Sequence, residues 1–104
     1  MDAAKVYTLK DSIAYSPDAT VSKIVSRNKH GSTTLFSFDK GQTLSEHSTP
    51  FDAIVIILDG ACTIRIAGKP HALCEGQLIV MPANIPHALE ATEAFKMMLI
   101  MIRE

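Results

Sequence analysis

An all-β, single-domain barrel or sandwich is the fold class this sequence predicts, and three observations carry it. Short apolar stretches recur at regular spacing with turn residues between them, the pattern of an antiparallel sheet protein rather than of βαβ units. Two of these stretches share one plan. Gly41–Gly60 (GQTLSEHSTPFDAIVIILDG) has a glycine turn, a histidine, a proline bend and an apolar strand; Gly76–Ala91 (GQLIVMPANIPHALEA) has a glycine, an apolar strand, Pro82, a turn at Asn84 and then Pro86-His87. Finally, 104 residues suffice for one core and leave no room for a second, so residues 1–104 read as one domain.

Taken in order, residues 5–9 (KVYTL) suggest a first strand and 10–15 a single helical turn. Ser16-Pro17-Asp18 has turn chemistry, because proline pre-sets φ and an aspartate can bond its neighbouring backbone. In 21–27 (VSKIVSR) the apolar alternation slips, which predicts a bulge near Lys23. Residues 28–32 (NKHGS) read as a hairpin loop with Gly31 at its tip. The stretch 33–39 (TTLFSFD) is a strand with Phe36 and Phe38 on one side and Leu35 and Ser37 on the other. Beyond Gly60, further strands are expected at 61–66, 71–73, 77–81, 87–91 and 95–103, with turns at Ala67-Gly68-Lys69 and Glu75-Gly76.

Composition excludes several classes of function. Apolar residues make up 47% and charged residues 20%, ordinary for a globular protein, and the net charge of −1 offers no basic surplus for a phosphate backbone. Nucleic acid is therefore not an expected partner. The longest apolar runs, 54–58 and 97–102, are too short to cross a bilayer as helices, and the first residues (MDAAKVYTLKDS) lack the apolar core of a signal peptide. Cys62 and Cys74 form no CxxC pair, so they read as reduced thiols of a cytoplasmic protein.

The two glycine-led stretches resemble the motifs of the cupin family, small antiparallel jelly-roll β-barrels. The first motif, G-x5-H-x-H-x3-E-x6-G, is met over 41–60 by Gly41, His47 and Gly60; the second, G-x5-P-x-G-x2-H-x3-N, is met over 76–91 by Gly76, Pro82 and His87, both without a gap. The resemblance implies a barrel whose mouth holds a divalent metal. Here the second histidine of the family falls on Thr49, its glutamate on Ala53, its turn glycine on Asn84 and its last asparagine on Ala91. Asn84 is a mild change, because asparagine tolerates the left-handed conformation. Thr49 and Ala53 are not mild, since they leave two metal ligands, His47 and His87, of four.

With His47 and the Ala53 position facing inward, as the resemblance implies, period two also places Val55 and Ile57 inside and Ile54, Ile56 and Leu58 outside. Similarly, Phe95, Met97, Leu99 and Met101 face in, while Lys96, Met98, Ile100 and Ile102 face out. An apolar outer face of that size is expected to be covered. A homodimer, which cupins commonly form, is one cover; the N-terminal segment of the same subunit is the other. The expected ligand pocket is lined by Phe36, Phe38, Thr49, Val55, Ile57, Cys62, Leu89, Met97 and Leu99, most of which also serve as core.

Neutral imidazoles bind transition ions, but two rarely suffice, because catalytic zinc normally takes three protein ligands and a water. Candidate third ligands are Cys62, on the inner face of the next strand, Asp52, whose neighbour Ala53 faces the other way, and Glu46. A general-base reading lacks partners: Tyr7 and Tyr15 are remote in sequence, and Glu90 faces away from His87. No catalytic residue is assigned. The expected function is therefore a small-molecule-binding cupin with a reduced two-histidine site that holds at most a weakly bound Zn, Ni, Fe, Mn or Cu ion. The alternatives are a metal-dependent isomerase, lyase or dioxygenase using His47 and His87, and a stand-alone sensor domain.

Overall fold

In the computed structural model, which describes residues 1–103, the strands follow as β1 (Thr20–Asn28), β2 (Gly31–Phe38), β3 (Thr43–His47), β4 (Ala53–Ile66), β5 (Lys69–Cys74), β6 (Leu78–Met81), β7 (His87–Glu90) and β8 (Phe95–Ile102). Every pairing is antiparallel. β4 is shared by two curled layers. Its first half lies between β6 and β8 in the layer β1-β2-β8-β4-β6, and its second half between β5 and β7 in the layer β5-β4-β7-β3. The core fills the space between the layers. Phe38 stacks on Phe95 with ring centroids 4.6 Å apart, and Val55, Ile57, Cys62, Ile64, Leu89 and Met97 pack around them.

The expected inward set of β4 changes parity along the strand, from Val55 and Ile57 to Cys62 and Ile64. Strict alternation forbids this, and the strand solves it with a bulge: Ile57 pairs with Met97, but Asp59 pairs with Lys96. Gly60 then adopts φ +75° directly against β8, where a Cβ would run into the Ala94 carbonyl oxygen and come within 2.9 Å of Phe95 Cα. The motif glycine is thus required twice over, by its backbone conformation and by close approach.

Several boundaries differ from the sequence reading. The bulge of β1, expected near Lys23, falls between Ile24 and Ser26. The hairpin turn is Lys29-His30, tightened because Asn28 Oδ1 accepts the His30 N–H at 2.8 Å, so Gly31 pairs with Asn28 instead of forming the tip. Its lack of a side chain serves packing, since a Cβ there would strike the Met101 carbonyl. Strand β3 was not foreseen, because all five of its residues are exposed and it carries no apolar alternation.

Residues 5–9 form no strand. A 3-10 turn at Leu9–Asp11 begins a strap that runs across the outer face of the first layer, and side chains of that layer bind its carbonyls. Ser37 donates to Ala14 at 2.8 Å, Lys96 to Lys10 at 2.6 Å and Lys23 to Ser12 at 3.3 Å. Tyr15 donates to Asp59 at 2.6 Å, and Lys10 bridges Asp59 and Glu75. Beneath the strap Leu35 and Ser37 are buried, as is Ile13 within it. The Tyr15 hydroxyl, and then Lys10, hold the Asp59 carboxyl below the usual carboxylate range against the opposing effect of burial.

Two outcomes follow from these contacts. Gly60→Ala should cost about 2 kcal/mol or more in urea unfolding, since it adds left-handed strain to a backbone collision; an unchanged midpoint would contradict the bulge geometry. Asp59 has a depressed folded pKa, so its contribution is present above its unfolded value of about 3.9 and is lost as pH falls through the lower folded value. Asp59→Asn should accordingly be less stable than wild type at pH 7, and the gap should close toward pH 3. A gap independent of pH would show that the carboxylate does not hold the strap.

Candidate functional site

His47 ends β3 and His87 begins β7, and the two are direct cross-strand partners on the inner face. A bulge in β3 makes this possible. Leu44 pairs with Leu89, yet His47 and not Glu46 pairs with His87. Without the extra residue, Glu46 would stand beside His87 and His47 would face solvent. On its other side His87 pairs with Ile66 of β4, so the register of the long strand sets the position of the buried ring.

The rings meet edge to face with centroids 4.3 Å apart, and their Nε2 atoms are 3.1 Å apart. Each Nδ1 is bound by the carbonyl two residues earlier, Ser45 at 2.9 Å for His47 and Ile85 at 3.3 Å for His87. A carbonyl can only accept, so in the neutral rings both protons sit on Nδ1 and both Nε2 atoms present lone pairs to each other. That is repulsive unless a proton or a cation lies between them. Burial, and then the neighbouring His47, push the His87 pKa down, against the favourable Ile85 carbonyl. The pair is therefore an acceptor site biased against taking up a proton on His87.

The separation suits adjacent ligands of a transition ion. Zn–N bonds of about 2.0–2.1 Å place two cis nitrogens roughly 2.9–3.4 Å apart for right-angled to tetrahedral geometry. The carbonyl-bound Nδ1 atoms also supply the outer contacts that orient metal-binding imidazoles. The remaining donors do not complete the set. Thr49 turns its hydroxyl to the Phe51 carbonyl at 3.1 Å, and Ala53 is buried with only a methyl group. Among the described residues, no group of three or more His, Cys, Asp and Glu side chains could hold a metal ion. The pair thus offers two of a transition ion's positions, with no carboxylate or thiol grouped beside it among the described residues.

The expected third ligands each lie elsewhere. Cys62 is four residues before Ile66, the β4 partner of His87, which puts it roughly 13 Å away along the strand. It is buried in the core, where burial pushes its thiol pKa up to about 11. Asp52 is exposed and accepts the Ala83 N–H at 2.8 Å. The bulge turns Glu46 outward. Nor does an acid–base partner approach: Glu90 pairs with Arg65 at 2.9 Å, Tyr15 with Asp59, and the Tyr7 hydroxyl accepts the Asp2 N–H.

Of the expected pocket residues, Phe38, Val55, Ile57, Cys62, Leu89 and Met97 are all buried members of the close-packed core. Phe36, Leu99 and Thr49 are partly buried, the first two packed against the core, and His47 is exposed. The sequence reading missed the carbonyls of Ser45 and Ile85 and the stitching of the two loops at the mouth. There the Asn84 N–H donates to Thr49 at 2.7 Å and the Ala83 N–H to Asp52, with Asn84 at φ +63°. The one signal for this in the sequence is the turn-forming run Pro82–Pro86.

A two-layered antiparallel barrel with strand-borne imidazoles paired at one end defines a cupin-type jelly roll. The chain belongs to the cupin family, whose cupin domain model matches residues 34–103. It is similar to a conserved protein of unknown function from Streptococcus pyogenes, at 41% identity and TM-score 0.94 over 100% of this chain and 91% of that one. It is also similar to a cupin 2 conserved barrel domain protein from Leptotrichia buccalis, at 41% identity and TM-score 0.91, over 93% of this chain and 47% of that one. A cupin superfamily protein from Desulfitobacterium hafniense shares the fold at 23% identity and TM-score 0.93, over 100% of this chain and 95% of that one. Comparison with curated proteins gives no match. No described helix is long and apolar enough to cross a membrane.

Proposed function

We propose that this cupin binds a small molecule at the barrel mouth, anchored by His47 and His87, and that the same pair holds a transition ion only weakly. The observation that carries this reading is the convergence of two Nε2 lone pairs at 3.1 Å with both Nδ1 atoms tied to carbonyls. Such a pair accepts: it takes a hydroxyl or N–H of a ligand, while Phe36 and Leu99 offer apolar surface. A transition ion, when bound, would supply Lewis acidity and a further coordination position for the ligand. The residues present make that ion an accessory, because neither Thr49 nor Ala53 contributes charge to retain it.

The test is titration calorimetry with Zn, Ni and Mg on the metal-stripped protein, beside elemental analysis of protein purified without added metal. Wild type should bind Zn and Ni with micromolar or weaker affinity and bind Mg not at all, since Mg prefers oxygen ligands. His47→Ala and His87→Ala should each abolish the heat of binding. One metal per chain that survives dialysis against chelator, and is lost in either variant, would favour a metalloenzyme instead.

The chain is further read as a cytoplasmic homodimer that pairs through the outer face of the first layer. Leu78, Val80 and Ile102 are 56%, 46% and 60% exposed on the same face as half-buried Ile54, Ile56, Met98 and Ile100. The strap covers Leu35 and Ser37 but leaves these apolar side chains accessible, which favours a partner over full coverage from within. The cytoplasmic reading rests on the thiols: Cys62 pairs with Leu73 and Ala61 with Cys74, so the cysteines lie on opposite faces of the sheet and cannot bridge. In sedimentation velocity, Ile56→Lys and Ile100→Lys should convert dimer to monomer or leave the protein insoluble, because each places a charge in an apolar contact. A wild type that is monomeric at micromolar concentration would remove the dimer.

A further inference from the structure

At the mouth end of the first layer lies a groove of about 760 Å3, walled by Phe51, Ile54, Val80 and Ile102. Its charged lining residues are Asp52 and Arg103, whose guanidinium lies 4.8 Å from the Phe51 ring centroid. We propose that this groove receives the same groove of a second copy of this chain, with Asp52 of each copy facing Arg103 of the other, and that this contact holds the two histidine-bearing loops in register. The proposal rests on the homodimer reading and adds to it a location, a charge pairing and a consequence for the histidines.

The occupant follows from the composition of the groove. A twofold contact applies one patch to itself, so the patch must carry both members of every charged pair. An acid and a base amid apolar walls meet that condition, whereas a small apolar ligand would use neither charge and an acidic one would meet Asp52. Asp52 Oδ1 accepts the Ala83 N–H, which leaves the second oxygen for a partner; among the described residues neither Asp52 nor Arg103 is in an ion pair. The groove is also continuous with the apolar face, since Ile54, Val80 and Ile102 belong to both.

The link to the site is structural. Phe51 and Asp52 belong to the loop that directly follows His47, and Ala83, also at the groove, belongs to the loop that directly precedes His87. Two hydrogen bonds join these loops, Asn84 to Thr49 and Ala83 to Asp52. Pressure on the groove wall therefore acts on both at once. His47 sits exposed at the end of an edge strand, so its ring is the one whose position depends most on this support.

A double-mutant cycle tests the pairing, with Asp52→Asn chosen because its amide oxygen still accepts the Ala83 N–H. Asp52→Asn and Arg103→Gln should each raise the dimer dissociation constant in sedimentation experiments by about tenfold, and the double variant should lose little more than either alone. Zinc, used as the probe of the histidine pair, should bind about tenfold more weakly to monomeric Ile102→Asp than to the wild-type dimer. Arg103→Gln, compared below and above its dissociation constant, repeats that measurement should Ile102→Asp fail to fold. A monomeric wild type sinks the dimer reading and this proposal with it. A dimer indifferent to Asp52 and Arg103, or additive losses in the double variant, leaves the dimer standing and overturns the groove. Equal zinc affinity in monomer and dimer overturns the coupling.

Discussion

One strand belongs to both layers of the barrel, and its change of parity is the constraint on which the rest depends. β4 must turn Ile57 and then Cys62 toward the interior, an interval that strict alternation cannot provide. The bulge absorbs the extra residue and Gly60 absorbs the contact with β8. Were the slip absent, Thr63 and Arg65 would face the core in place of Cys62 and Ile64, and the second layer would turn its polar side inward. Since β7 takes its register from this half of β4, through Ile66 and His87, the position of the buried imidazole is set by a glycine in a different sheet.

The bulge in β3 then decides what kind of site the barrel mouth contains. It brings an imidazole beside His87 where regular pairing would bring the carboxylate of Glu46. A His–Glu pair would carry charge suited to a divalent ion or to proton transfer. Two imidazoles tied to carbonyls offer nitrogen lone pairs and no negative charge. With Ala53 and Thr49 in the places where the family has a glutamate and a second histidine, no further His, Cys, Asp or Glu among the described residues joins the pair to hold a cation. An ion held by these two nitrogens alone would have to retain ligands of its own.

Much of the fold was legible because the motif glycines and prolines mark backbone conformations directly. Gly41, Gly60 and Gly76 all take positive φ, and Asn84 takes the left-handed conformation expected of it. The inward and outward sets of β8 were equally plain, since Lys96 fixes the phase of an otherwise apolar strand. Elements held by polar contacts were not legible. β3 has no buried residue to give it a period, and the strap is fastened by lysine, tyrosine and serine side chains whose partners are distant in sequence. At the site, the motifs located both histidines but not their tautomers, which depend on main-chain carbonyls. Cys62 shows the limit of face counting: it lies on the correct face of β4 at the wrong height.

The outer face of the first layer is divided by chemistry, and the division explains why one half can be covered from within and the other is open to a partner. Along the row Ser37-Lys96-Asp59 the sheet offers polar groups, and the strap answers each: a carbonyl for Ser37, a carbonyl and the Tyr15 ring for Lys96, a hydroxyl and an ammonium for Asp59. Directional bonds of this kind can fasten an irregular segment whose own apolar content is small. Toward Ile54, Ile100 and Ile102 the sheet offers no such handles, and an irregular segment laid there would bury carbonyls and N–H groups without partners. A second sheet has no such difficulty, because its backbone is already paired and only side chains meet. The polar half of the face therefore suits a strap, and the apolar half suits another copy of the same layer.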